Sequence, residues 1–244
     1  MNTFIICSVA QETTFCFHPD SGSLFDSGEG VSILLSDKLK DIKRVFLSDF
    51  SNENILGLRS LMEKVPGLEI YYPRQFQDSF KYIKMYEFSR DFKAIWKSIE
   101  NDETIQINDD YSCKASRVYR QDTNKFCYSY IFSKKKKKRK LELALKTTQE
   151  LRNMVIEGID VSEYRFVNEF VYSPGTINSE DCFGCNVIVS GPKCITQEAR
   201  IKAANIKGKI YTRIKDEEWS PIVIPILRVE VPIPPIFMSH EIEM

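Results

Sequence analysis

The chain has 244 residues, of which 43% are hydrophobic and 28% are charged, as is usual for a globular protein with a substantial core. Thirty-four basic residues balance thirty-four acidic ones, so no net field attracts nucleic acid or membranes. No segment approaches the roughly 20 apolar residues of a membrane span, and the first apolar run lacks the basic start of a secretory signal. We expect one intracellular domain, residues 1–244, in the cytoplasm or nucleus and without membrane contact.

Seven scattered cysteines, an odd number with no export signal, predict reduced thiols. Only Cys182 and Cys185 have metal-like spacing, and a structural zinc would need a second pair of ligands nearby. The two histidines of the chain, His18 and His240, are far from this pair in sequence. Two thiols in a loop or at a strand edge are therefore favoured over a zinc site, and we predict no cofactor.

Short β-prone runs alternate with polar turns in the first third of the chain. Strands are predicted over 4–6, 13–17, 45–47 and 68–72, and helices are predicted to begin near Val31 and Gly57. Two turns stand out. Asp-Ser-Gly-Glu-Gly, residues 26–30, has glycines that permit positive φ, and residues 48–54 form a polar turn before Ile-Leu-Gly-Leu at 55–58.

The remaining elements are predicted from apolar periodicity. They are a helix-rich stretch over 76–96, strands over 104–107, 112–118 and 126–132, a helix over 141–156, strands over 170–174, 187–189 and 209–214, and a helix over 197–204. Residues 133–140 are predicted to form a Lys/Arg-rich hairpin or linker. The proline-rich extension 220–244 is predicted to be an edge strand or an extended arm, because proline cannot donate a backbone hydrogen bond.

Two segments carry a family resemblance: LFDSGEGVSILL, and KRVFLSDFSNENILGL over Lys43–Leu58. They resemble the corresponding segments of ribonuclease Z, a tRNA 3′-endonuclease of the metallo-β-lactamase superfamily. Looser similarities continue to about Ile214. The resemblance implies an α/β fold, the αββα metallo-β-lactamase sandwich. In that family the second segment carries the histidines of a T-H-x-H-x-D-H motif, and here it contains no histidine.

The resemblance also implies where the metal ligands of the family would stand. The matching positions carry Asp49, Ser51, Glu53, Asn54, Arg120 (or its neighbour Tyr119), Gly175 and Arg213. A two-zinc hydrolase needs several imidazoles to hold its ions and to generate hydroxide. We therefore predict that the chain is not an enzyme and has no catalytic residues, although Asp49 and Glu53 leave weak divalent-cation binding open.

The two arginines at these positions allow two interpretations. Arg120 and Arg213 can grip a phosphate, since guanidinium binds phosphate oxygens in a bidentate manner. Alternatively, they pair with Asp49, Glu53 or Asp26 and plug the emptied site. We favour the plug, because the remaining carboxylates need neutralisation.

The strongest local positive feature is a run of seven cations: Lys134, Lys135, Lys136, Lys137, Lys138, Arg139 and Lys140. A solvated turn, a nuclear-import signal and an RNA phosphate-binding patch are all consistent with it. Ribonuclease Z carries a tRNA-clamping arm in this region. Here the Gly-Pro pair of that arm is missing, which predicts a trimmed or absent arm.

The resulting hypothesis is a catalytically inactive, ribonuclease Z-like subunit or scaffold in RNA 3′-end processing. It would act as a homodimer or as a heterodimer with an active homologue, with RNA as a further partner. One alternative is a non-hydrolytic binder of cyclic nucleotides or another small phosphate ligand. A second alternative is a residual metal-dependent phosphodiesterase.

Overall fold

The computed structural model describes residues 3–9, 13–86, 93–120, 124–174, 186–189, 210–212 and 237–243. Its strands are β1 (Thr3–Val9), β2 (Thr13–His18), β3 (Ser23–Phe25), β4 (Arg44–Phe46), β5 (Glu69–Pro73), β6 (Ile95–Ile99), β7 (Thr104–Gln106), β8 (Tyr111–Arg120), β9 (Lys125–Arg139), β10 (Ser162–Ser173), β11 (Asn186–Val189), β12 (Ile210–Thr212) and β13 (Phe237–Glu243). Its α-helices are α1 (Val31–Leu34), α2 (Asn52–Ile55), α3 (Leu58–Lys64), α4 (Gln77–Tyr86) and α5 (Thr148–Ile156). No helix in these ranges is long and apolar enough to cross a membrane.

The strands form two sheets, a first sheet ordered β13-β1-β2-β3-β4-β5-β6 and a second ordered β12-β11-β10-β9-β8-β7. Strands β3 to β6 are parallel to one another, so their carboxyl ends meet at one edge of the first sheet. The C-terminal strand β13 pairs antiparallel with β1 and forms a lateral edge of that sheet. The predicted extension 220–244 thus includes an edge strand, and residues 220–236 lie outside the described ranges.

Side-chain alternation along the parallel strands separates two cores. Leu24, Val45 and Ile70 face a cluster that includes Leu35, Leu58, Leu61 and Phe80 from the first four helical segments and their ends. Their neighbours in sequence, Phe25, Phe46 and Tyr71, face a second cluster with side chains of β8, β9 and β10. Because strand residues alternate in direction, the first sheet packs on helices with one face and on the second sheet with the opposite face.

A two-stranded ribbon extends from the second sheet. The pairing of β8 with β9 ends where Tyr111 stands opposite Lys134. Beyond Lys134, β9 pairs only with β10, from Lys135 opposite Phe166 to Arg139 opposite Ser162. A register shift between Asn168 and Phe170 separates the ribbon from the buried part of β10. The sequence predicted a hairpin turn or linker for residues 133–140, but Lys134–Arg139 lie inside a strand. Pairing with β10, about thirty residues away along the chain, explains the difference.

Two short helical segments connect the ribbon strands in place of the predicted continuous helix over 141–156. A 3₁₀ turn covers Leu141–Leu143, and α5 begins after a capping box between Thr147 and Glu150. The predicted apolar stripe is not buried, because α5 has no buried residue and the side chain of Leu145 is 99% exposed. The helix predicted over 141–156 is therefore present only in its second part, as α5.

Two other predictions differ from the structure or lie outside it. Trp96 belongs to strand β6 and not to the helix-rich stretch predicted over 76–96, of which α4 is the described helix. The helix predicted over 197–204 and the Cys182–Cys185 pair lie outside the described residues. The thiols of Cys16, Cys113 and Cys127 are buried and form no disulfide.

Candidate functional site

The two segments with the family resemblance pack directly against each other. The backbone N–H of Ser27 donates to the carbonyl of Asn54 at 2.8 Å, and that of Gly57 donates to the carbonyl of Ser27 at 2.9 Å. A Cβ atom placed on Gly57 would lie 2.1 Å from the carbonyl oxygen of Gly28. Glycine at position 57 therefore permits this close approach, which fixes the turn after β3 beside the turn after β4.

Asp26 lies at the centre of this packing, in a left-handed conformation with φ of 57°. Its carboxylate is fully buried and accepts hydrogen bonds from the Ser48 N–H and hydroxyl, both at 2.7 Å, and from the Tyr172 hydroxyl at 2.8 Å. Burial raises the pKa of Asp26 to about 7, although the donors from Ser48 and Tyr172 oppose the shift and the charge of Asp49 adds to it. Asp26 thereby joins the two sheets through Tyr172 of β10.

Asp49 follows β4 and organises the polar turn before α2. Its Oδ1 atom accepts from the Ser51 N–H at 2.8 Å, from the Ser51 hydroxyl at 2.5 Å and from the Asn54 side-chain amide at 2.8 Å. Asp49, Ser51 and Asn54 are therefore in direct contact, and Glu53 lies beside Asn54 in α2. Four of the predicted metal-site positions thus lie close together. One carboxylate oxygen of Asp49 is already occupied by three donors.

Arg120, the last residue of β8, closes this group of side chains. Its guanidinium contacts Asp49 Oδ2 at 3.5 Å and Glu53 Oε1 at 2.6 Å, and its side chain is 8% exposed. Of the two alternatives at this position, Arg120 therefore faces the site, whereas Tyr119 hydrogen-bonds the side chain of Asn124. We call Asp49, Ser51, Glu53, Asn54 and Arg120 the closed cluster.

The donors of the closed cluster do not fit a catalytic zinc centre. Zinc in hydrolases takes imidazole and carboxylate ligands with one open position, but here a cation fills the space between the two carboxylates. His18 is buried at the end of β2 against Tyr111 and Phe132, away from these positions. Within the described ranges, no group of three His, Cys, Asp or Glu residues is arranged to hold a metal. Gly175 and Arg213 lie outside those ranges.

The run of cations divides between the two faces of the ribbon. Lys134 and Lys136 continue the face that carries Phe132 into the inter-sheet core, and both have partners there. The Lys134 ammonium lies 5.1 Å from the centre of the Tyr111 ring, and the Lys136 ammonium lies 3.0 Å from a carboxylate oxygen of Glu169. The Glu169 carboxylate offsets the charge of Lys136, and Lys134 is half-buried beside a buried ring, so both lysines are less accessible than their neighbours on the opposite face.

The opposite face of the ribbon, which we call the outer face, combines exposed cations with exposed aromatic rings. Lys135 stands opposite Phe166, Lys137 opposite Tyr164 and Arg139 opposite Ser162. Tyr164 is 65% exposed and Phe166 is 43% exposed. No acidic side chain in the described ranges forms an ion pair with the three cations of this face. Lys138 and Lys140 flank it at the end of the ribbon, where Lys140 is only half-buried.

Sequence reasoning missed several residues of these two regions. Ser48 and Tyr172 bind Asp26, and their role depends on contacts across 22 and 146 residues that no local motif reports. Tyr164 and Phe166 join the cations only through strand pairing. Alternating aromatic and polar residues over 162–168 were the available signal, because alternation is typical of a two-faced strand.

Comparisons with known proteins agree on the fold. No family model matches the sequence, and no curated protein sequence matches it. Among solved structures, the metallo-β-lactamase fold protein YhfI from Bacillus subtilis has a TM-score of 0.52 at 10% identity, covering 87% of this chain and 97% of that protein. A long form RNase Z from yeast has a TM-score of 0.53 at 10% identity, covering 87% of this chain and 36% of that protein.

These similarities concern the fold. The activities of the two similar proteins are not assigned to this chain by them. They agree with the two packed sheets and with the helices on the first sheet. The predicted fold class is therefore confirmed, and the resemblance to ribonuclease Z is supported at the level of structure. The chain has the metallo-β-lactamase fold.

Proposed function

We propose that the chain is a non-catalytic, ribonuclease Z-like protein that binds RNA through the outer face of its ribbon and acts as a subunit or scaffold in RNA 3′-end processing. The observation that carries the proposal is the contrast in pairing. The guanidinium of Arg120 forms ion pairs with Asp49 and Glu53. In contrast, Lys135, Lys137 and Arg139 are exposed beside the rings of Tyr164 and Phe166. The closed cluster lacks hydrolytic donors, and the outer face is a surface suited to nucleic acid.

The outer face has the chemistry that single-stranded RNA requires. Cations along a strand can follow a phosphate backbone, and exposed aromatic rings stack on bases of any sequence. Tyr164 and Phe166 lie on the same face, two residues apart, and the Lys135 ammonium lies 5.7 Å from the centre of the Tyr164 ring. The side chains of Lys135 and Tyr164 are both exposed, so the charge and the ring remain accessible to a ligand at the surface.

The test compares two triple variants with equal changes of charge. Lys135→Gln/Lys137→Gln/Arg139→Gln is expected to weaken binding of a 3′-extended tRNA precursor and of a single-stranded RNA oligonucleotide by at least about tenfold. A hydrogen bond to a charged group contributes about 1.5–3 kcal/mol, and a tenfold change corresponds to about 1.4 kcal/mol. The slope of log K against log salt should also become shallower by about 0.7 for each phosphate that the variant no longer neutralises on a single strand. Fluorescence anisotropy across a salt series measures both quantities.

Lys40→Gln/Lys43→Gln/Lys64→Gln is the matched control, because it removes three exposed lysines from a different part of the molecule. Its RNA affinity should stay within about twofold of the unmodified protein. Equal losses of affinity in the two variants would show that only the general charge matters and would overturn the outer face as the binding surface. Absence of RNA binding at low salt would remove the RNA-binding function itself.

A partner protein belongs to the same proposal. Large apolar side chains are exposed at the end of the ribbon, including Leu141, Leu145 and Ile156 at 71%, 99% and 83%. Contiguous exposed apolar groups are common at protein interfaces. We expect a homodimer, or a heterodimer with an active homologue, in a size determination of the native protein. A monomer that captures no nuclease would contradict the subunit role.

A small phosphate ligand at the metal-site positions would need the closed cluster to open. Arg120 would have to exchange two carboxylates for one phosphate, leaving Asp49 and Glu53 without their cation. Titration with cyclic mononucleotides checks this alternative, and the contacts of Arg120 predict no heat. Phosphodiester assays with Mn²⁺ or Mg²⁺ check residual hydrolysis, for which the cluster offers too few free oxygens.

A further inference from the structure

A second charged region lies at the opposite edge of the first sheet from the closed cluster. It is a cleft of about 590 Å³ at the amino ends of three parallel strands. It is bordered by Lys43, which precedes β4, and by Arg44 of β4, Glu69 of β5 and Ile95 of β6. Asp49 follows the carboxyl end of β4, so the two sites are separated by the length of the strand. The volume lies in the range of small-molecule sites.

The cleft is lined by four cations and one carboxylate. The cations are Lys40, Lys43, Arg44 and Lys64, and the carboxylate is Glu69. Glu69 is already engaged, since it contacts the Arg44 guanidinium at 3.5 Å and the Lys97 ammonium at 2.5 Å. This leaves three lysines with excess positive charge in a chain whose net charge is zero.

These three lysines have no acidic partner in the part of the chain that the structure describes. The acids next to them in sequence do not line the cleft, and Glu63, the neighbour of Lys64, pairs with Arg59 at 3.7 Å. Like charges that share a cleft repel each other until an anion enters between them. The charge pattern therefore favours a ligand with several negative charges close together.

The rest of the lining is apolar. Val65 and Pro66 follow α3, and Ile95 is 50% exposed at the start of β6. Small-molecule sites combine an apolar wall with a few fixed charged groups, because the wall contributes affinity and the charges set orientation. A ligand that uses both parts carries an anionic group and an uncharged ring or chain.

We propose that this cleft binds a small organic polyphosphate such as a nucleoside triphosphate. Lys40, Lys43 and Lys64 contact the phosphates, and the uncharged part of the ligand lies against Val65 and Ile95. The ion pair of Arg44 and Glu69 forms the fixed floor between them. The site is independent of the closed cluster and of the outer face of the ribbon.

The test is isothermal titration of the full chain with ATP, inorganic triphosphate and adenosine. ATP and triphosphate are expected to bind at one site and adenosine is not, because the lysines carry the recognition. Lys40→Gln/Lys43→Gln/Lys64→Gln should lower ATP affinity by at least about tenfold, as expected when charge-assisted hydrogen bonds to phosphate are removed.

The ribbon variant Lys135→Gln/Lys137→Gln/Arg139→Gln is the control and should keep ATP affinity within about twofold. All six positions are exposed and form no ion pair within the described ranges, so both variants should fold, and their unfolding curves verify this. No heat with ATP would overturn the proposal. An equal loss of affinity in the two variants would overturn it as well, because it would show general attraction of polyanions.

Discussion

The closed cluster and the outer face of the ribbon contain similar residues in opposite states. In the closed cluster, Arg120 is 8% exposed and contacts two carboxylates. On the outer face, Lys135 and Lys137 are exposed, and the residues opposite them are Phe166 and Tyr164. A buried cation with two acidic partners must lose those ion pairs before it can bind an anionic ligand. An exposed cation beside a ring can bind such a ligand without breaking an ion pair.

Charge counts alone therefore do not locate function in this chain. Among the described metal-site positions, the charges of Asp49, Glu53 and Arg120 are paired with one another. The exposed cations without an acidic partner include those of the outer face, which lie away from these positions. The closed cluster and its supporting contacts can be tested by three changes, taken from the largest expected effect to the smallest.

The pH dependence of stability should include a large contribution from Asp26, which has three hydrogen-bond donors on its buried carboxylate. Its folded pKa of about 7 lies above its ordinary value of 3.8, so the folded state binds more protons between these values. Taken alone, this titration makes the free energy of unfolding fall as pH rises from about 4 to about 7, by about 4 kcal/mol at about 1.4 kcal/mol for each unit.

Asp26→Asn removes this titration, so denaturation at a series of pH values should give a free energy of unfolding that rises more steeply with pH in that window than it does in the unmodified protein. His18 acts in the opposite direction, because burial lowers its pKa to about 4 and its stabilising effect is lost as pH falls below about 6.5. The Asn variant retains His18, so the two contributions separate. An unchanged slope in Asp26→Asn would mean that another group carries the dependence.

Removal of the cation from the closed cluster should destabilise the protein. Arg120→Met leaves Asp49 and Glu53 facing each other without a cation and is expected to lower the free energy of unfolding by about 3 kcal/mol. Arg117→Met on the same strand is the control, since Arg117 is exposed and its guanidinium lies 4.0 Å from the centre of the Phe126 ring, an interaction of about 1 kcal/mol or less.

Adding Asp49→Asn and Glu53→Gln to Arg120→Met should recover part of the stability, because the uncompensated charges disappear. Urea denaturation of the unmodified protein and these variants gives all the required differences. If Arg120→Met costs no more than Arg117→Met, the ion pairs do not hold the cluster closed.

The packing between the two glycine segments gives a smaller effect. Gly57→Ala would place a Cβ atom 2.1 Å from the Gly28 carbonyl oxygen and 2.6 Å from a methyl group of Val31, so overpacking should cost about 2 kcal/mol. Gly67→Ala is the control. It has open space around it and a φ of 80°, so only the backbone penalty of about 1 kcal/mol applies. Equal destabilisation by the two changes would show that the close approach is not needed.

Local patterns predicted most of the fold. The strands predicted over 45–47 and 68–72 correspond to β4 and β5, whose bounds differ from the prediction by one residue at each end. The two glycine-containing turns lie after β3 and β4, where the resemblance implied. Periodicity and turn chemistry report on elements whose contacts are close in sequence. Periodicity failed for Leu145, because a helical stripe of apolar residues does not show whether another element covers it.

The site was less accessible from the sequence. Pairing of Arg120 with Asp49 and Glu53 was one of two alternatives, and the choice between them depended on a contact across 71 residues. Lysine has a low strand propensity, so Lys134–Lys138 were expected in a turn. Only their pairing with Glu163–Val167 placed them in β9 and divided them between two faces. Long-range pairing, not composition, decides which cations are available.

The most direct test of the closed cluster is a metal titration of the native protein, with elemental analysis before it and calorimetry with Zn²⁺ and Mn²⁺ after it. We expect far less than one equivalent of bound metal and no specific heat, because Arg120 occupies the space between the carboxylates. Stoichiometric zinc or manganese that disappears in Asp49→Asn would contradict the closed cluster and restore a hydrolytic function to consideration.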